Sequence, residues 1–318
     1  MFENKNILVT GGAGFIGSHL CDEILKHDAG NVIVLDNLSL GNVDNLKGAN
    51  KDPRLQIIVG DACDYAVVKD IILTHEVDIV FNLAVVPLPA SLGDPHSNVK
   101  INVDIVNNLC ELQRLKRFET LVHFSSSEAY GSAQFVPMTE KHPYTISTPY
   151  AASKASGDLI ALSYSKTFGL DTLVVRPFNN YGPRQNQKEF AGIIPLVIEK
   201  LSNNELIEIH GEGTQTRDYV YVKDTAKIVL GLFQNRDKHQ GPVNIATGIE
   251  TTTLQIVGHL VEMMPWSKSE ITHIEDRLSN VSRHCGDISL LREICGLAPH
   301  TSLVKGLEET IRWYKDES

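Results

Sequence analysis

Short apolar runs alternate with amphipathic stretches through the first half of the chain. Ile7–Thr10 is an apolar run ending in glycines, and Phe15–Lys26 carries its apolar residues at helical spacing. The same alternation continues with a strand at Asn31–Leu35 ending at Asp36, a strand at Leu55–Val59 followed by Gly60-Asp61, a helix at Ala66–Thr74 and a strand at Asp78–Leu83. Helices are predicted at Asn98–Leu115 and Pro149–Phe168, with strands at Thr120–Ser125 and Thr172–Arg176. Strands separated by helices make βαβ units, and therefore a parallel sheet covered on both faces. The expected fold class is α/β, a doubly wound parallel sheet of the Rossmann type.

After Pro177 the pattern changes. Asn179–Glu189 is rich in Asn, Gly, Pro and Gln and reads as a loop. Ile193–Leu201 reads as a helix. Glu205–His210 and Asp218–Val222 read as strands around the polar turn Gly211–Thr216, and Thr251–Trp266, Ile288–Cys295 and Leu303–Trp313 as helices. We expect residues 1–176 to form the dinucleotide-binding domain and residues 177–318 mainly a smaller α/β substrate-binding lobe. Asp224–Phe233 and Pro242–Ile245, within 223–247, are expected to return to the first domain.

Composition narrows the function classes. The 318 residues carry a net charge of −10. This argues against a nucleic-acid partner, which needs an excess of Lys and Arg. The five cysteines are odd in number, widely spaced and without a CxxC pair, so neither a disulfide framework nor a metal site is indicated. Free thiols fit a reducing, cytoplasmic setting. The first strand begins at once, without a basic and apolar leader, and no stretch of eighteen apolar residues offers a membrane span.

Gly11, Gly14 and Gly17 follow the first strand and open the first helix, and Gly12-x-Gly14-x-x-Gly17 matches the dinucleotide fingerprint. Such glycines make a tight turn, let backbone N–H groups approach a pyrophosphate, and let helix pack on strand. The helix N-terminus turns its positive end to the diphosphate. Asp36, at the end of the second strand, stands where an acid accepts from ribose hydroxyls and repels a 2′-phosphate. NAD is therefore expected rather than NADP.

Tyr150 and Lys154 lie one helical turn apart on one face. An ammonium there, with a nicotinamide cation beside it, is expected to lower the phenol pKa so that Tyr150 acts as a base. The strand just before ends in Ser125-Ser126-Ser127-Glu128, at the edge where open α/β sheets place reacting groups.

Together with Arg176-Pro-Phe-Asn-Asn-Tyr-Gly-Pro-Arg184 and Thr216-Arg-Asp-Tyr-Val-Tyr-Val222, these motifs resemble the extended short-chain dehydrogenase/reductases of the NAD-dependent sugar epimerase/dehydratase family. The resemblance covers nearly the whole chain. It implies that Asp36 and Asn37 bind the adenosine ribose, that Asp61 and Ala62 sit by the adenine, and that Phe15, Ile16, Leu83, Ala84 and Pro177 line the cofactor. It implies that Ser126 stands beside the sugar 4-hydroxyl, that Tyr150 takes the hydroxyl proton, and that Lys154 binds the nicotinamide ribose. Asn179, Arg184, Ile209, Arg217 and Arg277 are implied to contact the sugar nucleotide. Around Arg277 the chain departs from the family, reading Arg277-Leu-Ser-Asn280 where relatives often have Arg-x-Gly-Asp. A homodimer through the Tyr150 helix and its neighbour Asn98–Leu115 is also implied.

The family shares oxidation at C4 and diverges afterwards. Its dehydratases carry a Glu at position 128 that removes the C5 proton, and many carry an Asp immediately before it, where this chain has Ser127. Gly131–Glu140 and Thr148–Lys154 resemble bacterial amino-sugar nucleotide dehydratases. The reading adopted is a dehydratase acting on a UDP-GlcNAc-like sugar nucleotide. A UDP-sugar 4-epimerase, a UDP-glucuronate decarboxylase and a non-catalytic NAD or sugar-nucleotide sensor remain alternatives at this point.

Overall fold

Four strands are buried along their whole length: β1 (Ile7–Thr10), β2 (Val32–Asp36), β4 (Ile79–Asn82) and β5 (Thr120–Phe124). Runs such as Val-Ile-Val-Leu cannot sit on a half-solvated sheet and demand helices on both faces. The computed structural model, which describes residues 1–186, 191–275 and 281–317, provides them. With β3 (Leu55–Val59), β6 (Asp171–Pro177) and β11 (Pro242–Ile245), these strands form one seven-stranded sheet in the order β3-β2-β1-β4-β5-β6-β11. Every pairing in it is parallel.

One face packs on α1 (Phe15–Ile24), α7 (Val222–Gln234) and α9 (Ser289–Cys295), through Leu20, Ile24, Phe81, Phe233 and Leu291. The other packs on α2 (Tyr65–Thr74), α4 (Pro95–Arg114) and α5 (Pro149–Phe168), through Val68, Ile71, Leu109 and Ala161. A short helix, α3 (Leu88–Gly93), leads into α4. The ends of α5 follow from its caps. The Thr148 hydroxyl accepts from the Ala151 N–H, Pro149 opens the first turn, and Gly169 closes the helix in the left-handed conformation.

A third core joins α6 (Ile193–Asn203), α8 (Thr253–Met263) and α10 (Leu303–Glu317) to β8 (Ile207–His210) and β13 (Ile271–Ile274), which pair in parallel. Two further ladders, β7 (Asn179–Tyr181) with β10 (Tyr219–Tyr221) and β9 (Thr216–Arg217) with β12 (Thr251–Thr252), lie between these parts in sequence. Asn179–Tyr181 is therefore strand where the sequence reads as loop. Its pairing partner is remote, so local composition does not reveal it. Ile271–Ile274 likewise forms a strand that the hydrophobic pattern did not mark. No described helix is long and apolar enough to cross a membrane.

Candidate active site

In a parallel sheet all C-terminal strand ends share one edge. Here the direction of winding reverses between β1 and β4, which opens a crevice. The glycine loop lies in it. Gly11 has φ +68°, and a Cβ there would stand 2.8 Å from the Ala84 nitrogen, so the turns after β1 and β4 touch. At Gly17 a Cβ would meet the Gly11 carbonyl at 2.3 Å, which fixes how closely α1 packs on its own turn. Gly14 is the N-cap of α1; no side chain caps this end and no acid stands in the first turn. The first N–H groups are thus left for a ligand, and Phe15 and Ile16, both half-buried, flank them.

Asp36 is buried, and its carboxylate accepts from Ala13 N–H at 3.0 Å and Leu38 N–H at 2.9 Å. Burial pushes its carboxyl up, while these N–H groups and that of Gly14 pull it back. The acid thereby ties the end of β2 to the glycine loop. Asn37 is exposed and accepts from Ser39 N–H at 3.0 Å. Asp61 accepts from Cys63 N–H at 2.8 Å, beside the buried Ala62. Leu83 and Ala84 are half-buried under the glycine loop, and Pro177 is buried at the end of β6. A Gly11 cradle that any Cβ would fill, an open helix N-terminus and a carboxylate at the end of β2 fit a dinucleotide.

A row of polar side chains crosses the sheet beneath this edge. Thr10, Asn82 and His123 are neighbours in register on β1, β4 and β5. The Thr10 hydroxyl donates to Asn82 Oδ1 at 2.7 Å, and Asn82 Nδ2 lies 3.2 Å from His123 Nδ1. All three are buried, where polar atoms need partners.

β5 then leads to the candidate catalytic residues. Ser126 caps the turn Ser127–Tyr130, its hydroxyl accepting from Glu128 N–H at 3.2 Å. The Ser126 hydroxyl and the Glu128 charge both act on the phenol of Tyr150. Ser126, Glu128 and Tyr150 thus converge. Lys154, one turn further along α5, is buried and donates to the Phe124 carbonyl at 2.6 Å. Burial pulls its pKa down to about 8, and Asp158 on the next turn opposes this. Within the protein itself, burial and the Glu128 charge push the Tyr150 phenol up and Ser126 pulls it down. Lys154, which donates to the Phe124 carbonyl, is not among the groups that shift this phenol in the protein alone.

The residues expected at the sugar nucleotide are more scattered. Asn179 is half-buried on β7, next to β10, and its N–H donates to the Asp218 carbonyl at 3.0 Å. Arg217 donates from Nη1 to the carbonyls of Thr216 and Val281 at 2.8 and 2.7 Å. Arg184 pairs with Asp22 of α1 at 2.7 Å and lines a cavity of about 230 Å³ with Asn42, Lys47 and Trp313; no catalytic residue lines it. Ile209 lies in the core of the smaller lobe and is 1% exposed. Arg277 lies outside the described residues.

Two neighbours of these residues escaped sequence reasoning. Asp158 had a signal, since it follows Lys154 at helical spacing. His284, buried beside Ser127 and Glu128, had none.

Residues 7–246 match the NAD dependent epimerase/dehydratase family. The chain belongs to that family. A dTDP-glucose 4,6-dehydratase of an Actinoplanes species is 34% identical over 97% of this chain and 97% of its own length. Among solved structures, the UDP-glucose 4-epimerase of Thermotoga maritima with UDP-glucose superposes with a TM-score of 0.91 at 31% identity, covering 98% of this chain and 99% of that one. The dTDP-glucose 4,6-dehydratase of Streptomyces venezuelae with NAD bound gives 0.90 at 31% identity, covering 98% and 97%. The family member described here is thus an NAD-dependent enzyme of sugar-nucleotide chemistry, with the Rossmann-type fold expected from its sequence.

Proposed function

We propose that the protein is a sugar-nucleotide dehydratase that acts on a UDP-GlcNAc-like hexose through a 4-keto intermediate. The observation that carries this reading is the convergence of Glu128 with Ser126 and Tyr150. A carboxylate beside the C4-oxidising pair is superfluous for simple epimerisation and is what C5 deprotonation requires. NAD, when bound, supplies the acceptor for the C4 hydride and returns it at the end of the cycle.

The residues of the chain divide the remaining work. Tyr150 takes the 4-hydroxyl proton, with Ser126 sharing the hydrogen bond. Lys154 holds a positive charge beneath the cofactor's nicotinamide ribose. Glu128 removes the C5 proton, which the neighbouring 4-keto group has made acidic, and the C6 hydroxyl leaves as water. Asn179 and Arg217 are proposed to hold the sugar nucleotide, with Arg277 as a second cation, and Arg184 is kept in that role only through its loop. Pairing of two copies through α4 and α5 belongs to the same proposal, since Leu159 and Phe168 are exposed on α5.

A UDP-sugar 4-epimerase is the second reading, favoured by the equal likeness to the Thermotoga maritima epimerase. Mass spectrometry separates the two after incubation with NAD and UDP-GlcNAc, dTDP-glucose, UDP-glucose or UDP-glucuronate. A product lighter by one water is expected, and Glu128→Gln should abolish it. An isobaric product, or full water loss by Glu128→Gln, overturns the dehydratase assignment.

A further inference from the structure

His284 is fully buried and lies outside every motif that marks the family. Its backbone N–H donates to the Thr216 carbonyl at 3.3 Å, and the Phe178 ring packs against the imidazole with centroids 6.0 Å apart. Nε2 stands 2.7 Å from the Gly131 carbonyl oxygen. A carbonyl only accepts, so Nε2 carries hydrogen, and in the neutral ring Nδ1 is a bare acceptor. Nδ1 faces Ser127 Oγ at 3.5 Å and Glu128 Oε1 at 3.9 Å. Burial keeps the imidazole below its ordinary pKa, with Arg217 and His142 acting the same way; Glu128 and the Gly131 carbonyl oppose them.

We propose that His284 is a positioning residue that holds the proton in transit between Glu128 and Ser127 during water loss, an assignment that rests on the dehydratase reading. Glu128 takes the C5 proton; the C5–H electron pair becomes the C5=C6 double bond, and the C6–O pair departs with oxygen. The proton passes from the Glu128 carboxyl to Nδ1, forming an imidazolium. The imidazolium replaces the hydroxyl proton that Ser127 gives to the departing oxygen. Water leaves, and Glu128, His284 and Ser127 regain their starting protonation without an outside acid. A serine hydroxyl alone is a poor acid; an imidazolium behind Ser127 returns the proton that it gives up.

Two variants of the full-length, NAD-loaded enzyme test this with whichever of UDP-GlcNAc or dTDP-glucose the wild type converts. His284→Gln retains an N–H for the Gly131 carbonyl, and His284→Asn retains an amide facing Ser127, but neither amide takes up a proton. Both are expected to form reduced nicotinamide at the wild-type rate on rapid mixing and to melt as the wild type does. Water loss should fall by roughly 10²-fold. If His284→Gln loses water at the native rate, the assignment of His284 falls while the dehydratase stands. If C4 oxidation falls in parallel with water loss, His284 is only structural support and the assignment also falls. If the wild type yields only an isobaric product, the dehydratase reading fails and the proton path with it.

Discussion

Asp158 on α5 and Arg176 on β6 form an ion pair of 2.8 Å in which neither side chain is more than 1% exposed. Arg176 also lies over the Tyr130 ring, 4.5 Å from its centroid, and donates to the Tyr144 hydroxyl at 2.8 Å. The pair joins the helix of Tyr150 and Lys154 to the strand that leads into the sugar-nucleotide segment. Because both charges are withdrawn from water, each depends on the other far more than a surface pair would.

Arg176→Met should therefore be costly, leaving a carboxylate buried without its cation. A loss of about 3–5 kcal/mol is expected in chemical denaturation. The double variant Asp158→Leu with Arg176→Met should recover much of it, since neither member of the pair is then left without the other.

Lys154 sets an alkaline limit. Its folded pKa of about 8 lies below the ordinary value of 10.5, so the ammonium is complete below pH 8 and is lost as pH rises through it. Turnover should fall along that limb in a profile of kcat/KM against pH. Asp158 raises this pKa, so Asp158→Asn should shift the limb to lower pH. The stability contribution has the opposite slope. Between pH 8 and 10.5 the unfolded chain holds a proton that the folded one has released, so the burial penalty is relieved as pH rises.

Tyr150→Phe should lower turnover by roughly 10²–10⁴-fold while leaving NAD retention and melting behaviour intact. Single-turnover formation of reduced nicotinamide checks this. A variant with unchanged activity would favour the sensing role left open by the sequence.

Gly17→Ala drives a methyl group into the Gly11 carbonyl. The expected result is a loss of about 1–3 kcal/mol, the cost of overpacking, together with a fall in NAD bound per chain as measured in the released cofactor.

The parallel sheet was legible because its strands are apolar on both faces, and α5 because Thr148, Pro149 and Gly169 punctuate it. Ser126, Glu128, Tyr150 and Lys154 could be placed together since a strand end and one helix turn bring them there. What stayed hidden depends on remote partners. Asn179–Tyr181 becomes strand only against Tyr219–Tyr221. His284 meets Gly131 across 153 positions of sequence. Ile209 alternates like any strand residue, and only the packing of α8 and α10 shows that its side chain faces inward.

The seventh strand of the sheet, β11, pairs with β6 only after much of the smaller lobe has intervened. During synthesis, β6 therefore emerges from the ribosome with a bare hydrogen-bonding edge, and the face of the sheet that α7 will cover remains wet. A fragment ending at Pro177 carries the same two defects permanently, which makes it an aggregation hazard rather than a cofactor-binding module. Cooperative unfolding of both lobes follows from this threading: the cofactor half cannot close its own sheet without chain that belongs, in sequence, to the substrate half.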